Sequence, residues 1–448
     1  MSREKKYEID MCNGSIMDKL ISFALPLMLS GMLQLMFNAV DIVVVGRFSG
    51  SQSLAAVGAT TALIYLFTNL FIGISLGANV LAARYYAAGK HEEMSETVHT
   101  AMMFALISGI IMIFVGLFFS RLALEIMGTP SDVIDQATLY MRIYFLGMPF
   151  FMLYNYGAAI LRAVGDTKRP LIFLIISGVV NACLNMLLVI VFHLDVAGVA
   201  IATVTSQFIS CVLVIGCLYR TKSSYQLRFS RLKIRKEYLK PICQVGIPAG
   251  IQSTVINFSN ALLQSSVNSF GSTTMAGYTA ANNIFGFLYV SVNAITQACM
   301  SFTSQNYGLR KLKRMDKILM DCLILTVIVS LVLGGGVYLF GAEILRLYTE
   351  EAEVIRCGID IFAYTTVTYF LCGIMDLFPG ALRGMDRSTV PMILSVIGTV
   401  GTRIVWVFWL FPAHRSLAFL FISYPASWLI TIVMQVICFY FVRRKVHG

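Results

Sequence analysis

From Leu20 to Gly46 the chain carries one charged residue, Asp41. A run of that length can cross a bilayer, which takes about 20 apolar residues. The pattern recurs along the chain. Apolar segments fall at about 16–46, 53–83, 98–120, 137–163, 170–194, 196–219, 241–270, 273–307, 318–342, 358–382, 390–413 and 416–442. This spacing predicts an all-α integral membrane protein with twelve transmembrane helices. Helices suit such segments because they satisfy their own backbone polar groups in lipid. Hydrophobic residues at 58% and charged residues at 13% agree, being far from the soluble balance. The net charge of +11 does not indicate nucleic acid, because the basic residues sit in short loops between apolar runs. The ten cysteines include no C-x-x-C pair and lie mostly inside apolar segments, so neither a disulfide framework nor a metal site is expected. The first apolar run is too long for a signal peptide, so no cleavage is expected and the first helix stays in the membrane.

Lys and Arg set the expected orientation. One side of the membrane receives 27 of the 34, and the other receives Arg47, Arg121, Arg142, Arg346, Arg356 and Arg415, with Arg403 left mid-helix. The bias predicts a multi-pass protein of the cytoplasmic membrane with both termini cytoplasmic. The longest and most basic loop, Arg220 to Lys240, divides the helices six and six. The expected organisation is an N-terminal lobe over 1–219, a basic cytoplasmic linker over 220–240 and a C-terminal lobe over 241–448. The linker reads as a tether near anionic headgroups, too short to fold alone.

The two lobes repeat. An offset of 222 places Pro26 on Pro248, Asn38 on Asn260 and Phe48 on Phe270. An offset of 221 places Leu161-Arg162 on Leu382-Arg383, Pro170 on Pro391 and Ser206 on Ser427. Each lobe has an even number of spans, so the repeat is parallel, about a pseudo-twofold axis along the membrane normal. Such a repeat leaves a cleft between two bundles for a substrate.

The sequence V-D-I-V-V-V-G-R-F from Val40, the turn L-R-A-V-G-D-T-K-R-P from Leu161, Gly198–Thr203 and Gln305-Asn306-Tyr307-Gly308 together resemble the multidrug and toxic compound extrusion (MATE) family. The resemblance spans essentially the whole chain and is nearer to the prokaryotic DinF-like members than to the NorM-like ones. It implies a V-shaped pair of six-helix lobes, and cation-driven antiport exporting amphipathic, often cationic compounds in exchange for H+ or Na+. It also implies residue roles. Asp41 matches the first-helix aspartate implicated in coupling, and Pro26 the proline at which that helix bends. Asn181 matches the first position of an N-x-x-x-D motif whose aspartate is here Asn185, which can coordinate a cation but cannot titrate. Thr203 and Tyr140 can add hydroxyl oxygens. The second lobe offers Asp376 and Arg403, but its first helix has no acid from Ile251 to Phe270.

Several residues keep two readings at this level. A charge near the bilayer centre costs roughly 2.5–3.5 kcal/mol on insertion scales, so Asp41 is either hydrated at an interface or facing a cavity that uses it. Such a cavity disfavours the charged form of a carboxyl, which lets one group take up drug and proton in alternation. Pro26 is a tolerated kink or a hinge. Asn181 and Asn185, one turn apart, bond between helices or line the cavity. Asp376 and Arg403 are expected first as a buried ion pair, otherwise as part of the pathway. The rival function is a flippase for a lipid-linked head group, which would call for more membrane-embedded Arg and Lys than Arg142 and Arg403. No catalytic constellation and no G-x-x-x-x-G-K-[ST] loop is present, so neither an enzyme nor an ATP-driven pump is expected. The expected partners are small-molecule substrates and the lipid bilayer, with no organic cofactor and with the chain acting as a monomer.

Overall fold

The computed structural model describes residues 7–447, and every regular element among them is helical. The first half comprises α1 (Met17–Phe48), α2 (Gly50–Ala87), α3 (His91–Ile126), α4 (Ile134–Leu146), α5 (Met148–Ala163), α6 (Lys168–Asn185) and α7 (Asp195–Arg220). The second comprises α8 (Lys236–Asn268), α9 (Ser272–Gly308), α10 (Leu312–Leu339), α11 (Gly341–Arg346), α12 (Ala352–Thr365), α13 (Tyr369–Gly384), α14 (Thr389–Ser395), α15 (Thr402–Val405) and α16 (Leu417–His447). Among the described residues nine helices are long and apolar enough to cross a membrane, and up to eleven spans result if each of two bent pairs counts as one. The remaining expected span is α8, which has the length but too many polar side chains to pass as apolar.

The helix breaks follow local chemistry. Gly89 and Gly128 adopt left-handed φ and return their N–H groups to the preceding turn, closing α2 and α3. The expected span 137–163 is two helices, α4 and α5, bent by 48° where Pro149 opens α5. Its counterpart 358–382 bends by 50° between α12 and α13, where the Thr366 and Thr368 hydroxyls return to backbone carbonyls. In the turn after α5, Gly165 has φ +92°, and a Cβ there would stand 2.6 Å from the Ile9 backbone nitrogen. Asp386 takes a positive φ at the matching place after α13.

The chain forms two compact units. One gathers residues up to Asp10 with Leu29–Gly250, and the other Met11–Met28 with Ile251 onward. Helix α1 therefore divides after Met28 and α8 after Gly250, each two residues beyond a proline, Pro26 and Pro248. Both helices continue unbroken through these prolines.

In the first unit the early part of α8 lies backbone to backbone against α2. Any Cβ on Gly73 or Gly77 would fall on the backbone of Gly250 or Ile242, and one on Gly246 on that of Ile74. Small residues four apart allow that approach, which gives van der Waals packing where lipid supplies no hydrophobic drive. The unit's core includes Met102, Phe145, Met152 and Tyr156. The basic linker is packed along α3: the Arg228 N–H donates to His99 Nε2 at 3.0 Å, and Tyr225 and Leu227 are buried. In the second unit the early part of α1 packs on α9 through Phe23 and Phe302, ring centroids 5.6 Å apart. Its core includes Ile284, Leu288, Phe362 and Trp428. Large apolar side chains such as Phe118, Ile126, Leu339 and Trp409 are exposed, as a lipid-facing surface requires.

Candidate functional site

Helix α1 meets α6 at Gly178, where the ring of Phe37 occupies the space a Cβ would need. Phe37 and Asp41 share a face one turn apart, as do Gly178, Asn181 and Asn185 along α6. The Phe37–Gly178 contact thus brings Asp41 beside Asn185. The Asn185 amide nitrogen donates to Asp41 Oδ1, and also to Asn181 Oδ1 at 3.2 Å. From α7, Thr203 donates to Asp41 Oδ2 at 3.5 Å, a weak bond by length. Four of the expected residues, Asp41, Asn181, Asn185 and Thr203, therefore form one hydrogen-bonded group.

Two features of this group have chemical consequences. Asp41 is half-buried, and the side chains bonded to it are neutral. Asn185 is fully buried, and its own Oδ1 has no hydrogen-bond donor among the described residues. Asn185 also ends α6 where the backbone widens into a π-helical turn, Met186–Val191, an irregularity frequent at functional positions. Tyr140 is buried on α4 and stands apart from the hydrogen-bonded group. It stacks on Tyr144, with ring centres 6.2 Å apart. Tyr144 and the neighbouring Gln207 escaped the sequence reading. Each lies four residues beyond a residue already singled out, Tyr140 or Thr203, so helical spacing could have found them.

The second unit corrects one expectation. Asp376 and Arg403 do not pair. Arg403 is 3% exposed and turns toward α8 and α16: it donates to Asn260 Oδ1 at 2.7 Å and to Ser259 and Ser427 at 3.3 Å each, and lies 4.6 Å from the centre of the Tyr424 ring. The cause is the polar face of α8, which supplies oxygens close to α15, while α13 turns Asp376 elsewhere. Asp376 interacts instead with Arg383, whose guanidinium also donates to Gln252 Oε1 at 2.7 Å. Removing a buried cation from water costs several kcal/mol, and a desolvated cation–π contact returns about 2. Arg403 is thus solvated by neutral groups without a counter-charge among the described residues.

The family model MatE matches the chain twice, over residues 26–187 and 248–409. The chain belongs to the MATE family. The two matches repeat the offset of 222 seen in the sequence and begin at Pro26 and Pro248. Among relatives, the probable multidrug resistance protein YoeA of Bacillus subtilis is 28% identical over 94% of this chain and 93% of its own length. The multidrug export protein MepA of Staphylococcus aureus is 21% identical over 89% of this chain and 87% of its own. A solved outward-facing multidrug resistance MATE transporter superposes with a TM-score of 0.88 at 20% identity, covering 98% of this chain and 97% of that one. The apolar helices and this family membership make the protein a multi-pass membrane transporter with two repeated halves.

Proposed function

We propose that this MATE protein is a secondary antiporter of the cytoplasmic membrane, exporting amphipathic, often cationic compounds in exchange for protons or sodium, with Asp41 as the coupling carboxylate. The names of relatives in Bacillus subtilis and Staphylococcus aureus, a probable multidrug resistance protein and a multidrug export protein, support the export of varied compounds. The observation that carries the coupling role is the Asp41 group itself. Among the described residues this carboxylate is held by an amide and a hydroxyl and has no cationic side chain bonded to it, which suits neutralisation by an external cation. The alternation of proton and cationic drug at that carboxylate is the minimum an antiporter needs.

The geometry weighs toward the proton. The Asn185 amide points its nitrogen, the positive end of its dipole, at Asp41 Oδ1, where a metal cation would want oxygen. Oδ2 has only the long bond from Thr203 and is the oxygen open to protonation. Replacing Asp41 by Asn keeps size and hydrogen bonding while removing charge and proton. Asp41→Asn, purified and reconstituted in proteoliposomes with pH and sodium gradients imposed separately, is expected to insert normally and to lose gradient-driven efflux. Wild-type efflux by this variant under both gradients would remove Asp41 from the mechanism.

A further inference from the structure

The linker between α7 and α8 is held on α3 largely through its main chain. The Arg228 N–H donates to His99 Nε2 at 3.0 Å, and the Arg235 N–H donates to Thr100 Oγ1 at 3.3 Å. An ion pair joins the same two elements, from Arg235 Nε to Glu96 Oε2 at 2.5 Å. Arg235 stands one residue before α8, so this docking also pins the start of α8.

The imidazole of His99 is buried, 1% exposed, and its bonds decide its protonation state. A backbone N–H can only donate, so Nε2, which faces that of Arg228, must offer a lone pair. A carbonyl can only accept, so Nδ1, 2.6 Å from the Ser95 oxygen, carries the hydrogen. The docked linker therefore requires a neutral imidazole. A second proton would go to Nε2 and set one N–H against another.

The charges around this end of α3 favour the same exchange. The linker brings Arg228, Arg231, Lys233 and Arg235, together with the phenol of Tyr225, and α3 itself carries Glu92, Glu93 and Glu96. The ends of α2, α5 and α7 add Arg84, Tyr85 and Tyr86, then Arg162, then Arg220. Glu93 is paired with Lys90 at 3.6 Å, and Glu96 with Arg235. Glu96 precedes His99 by three residues, which makes the two neighbours on the helix surface. When the linker leaves, Arg235 leaves with it, and Glu96 is freed to hold an imidazolium.

We propose that His99 is a proton-operated catch: neutral, it holds the linker on α3, and protonated, it releases the linker and frees the start of α8. The catch is separate from the Asp41 group, since it acts on the linker and carries no substrate. A histidine that merely packs there would give the docking no dependence on pH.

The test follows amide hydrogen exchange of the linker in the full-length protein in detergent, corrected for the intrinsic rate at each pH. The range of about pH 8 to 5 covers ordinary histidine titration. Release that takes up one proton grows by up to tenfold per pH unit, so protection of residues 226–235 is expected to fall at least about tenfold. His99→Gln keeps an acceptor for the Arg228 N–H but cannot titrate, so its protection should be flat. Glu96 is the rival source of pH dependence, because protonating it would break the pair with Arg235. Arg235→Gln separates the two: release through His99 persists and moves to higher pH, whereas release through Glu96 disappears. The same variant decides the matter should His99→Gln fail to dock the linker. No pH dependence in the wild type, the same dependence in His99→Gln, or none in Arg235→Gln would overturn the proposal.

Discussion

At the scale of single residues, the pair Asp41 and Asn185 defines what distinguishes this chain within its family resemblance. An aspartate at 185 would complete the N-x-x-x-D pattern and place two carboxyls against each other. Like charges that close cannot both ionise freely, so the pair would hold a proton or a metal cation more firmly than Asp41 alone. Asn185→Asp is therefore expected to raise sodium stimulation of efflux by about tenfold, the effect of one interaction of 1.4 kcal/mol. The check is dye efflux from proteoliposomes at constant pH with and without an inward sodium gradient, and unchanged sodium response would count against a cation-binding role for this position. Asp41 was legible from sequence because a lone acid in an apolar run is costly and conspicuous. Asn181, Asn185 and Thr203 became visible through helical spacing and resemblance. The partner of Arg403 was not legible: sequence depth along two helices suggested Asp376, whereas rotation about each helix axis decides which faces meet, and that depends on packing.

At the scale of helices, the number of apolar segments followed from hydropathy, because the bilayer sets their length. The bends did not. Pro149 marks one, but the Thr-rich break after α12 has no comparable signal, and the divided allegiance of α1 and α8 is a property of packing alone. The α2–α8 contact gives a sharp expectation. A methyl on Gly77 would overlap the carbonyl of Ile242, and overpacking of this kind costs typically 1–3 kcal/mol or more when backbone must move. Gly216 of α7 has nothing within 4 Å of the same point, and alanine there gains up to about 1 kcal/mol of helix propensity. Gly77→Ala should thus lower the melting temperature of purified protein and its folded yield, while Gly216→Ala leaves both equal or higher. Equal behaviour of the two variants in a thermal-shift and size-exclusion assay would contradict the close approach of α2 and α8.

At the scale of the whole molecule, charge distribution makes the remaining expectation, that both termini and the linker face the cytoplasm. The physical basis is the retention of Lys and Arg on the cytoplasmic side during insertion, counted over short loops. Eleven apolar spans among the described residues, with α8 as the expected twelfth, would return the chain to its starting side, so a single orientation would fix every loop. Two exposed positions report on opposite faces: Ser230, in the short 3-10 turn Phe229–Arg231 of the linker, and Glu351, just before α12 between Arg346 and Arg356. Native cysteines give little background, since most are buried or lie within apolar segments. In intact cells a membrane-impermeant maleimide is expected to label Glu351→Cys and to spare Ser230→Cys, and inside-out vesicles should reverse the pattern. Because the linker is docked on α3 through His99 and Thr100, labelling at Ser230 reports the side occupied by the N-terminal end of α3 as well as by the loop. Labelling of Ser230→Cys from outside intact cells would invert the whole expected topology, and with it the direction of the proposed exchange.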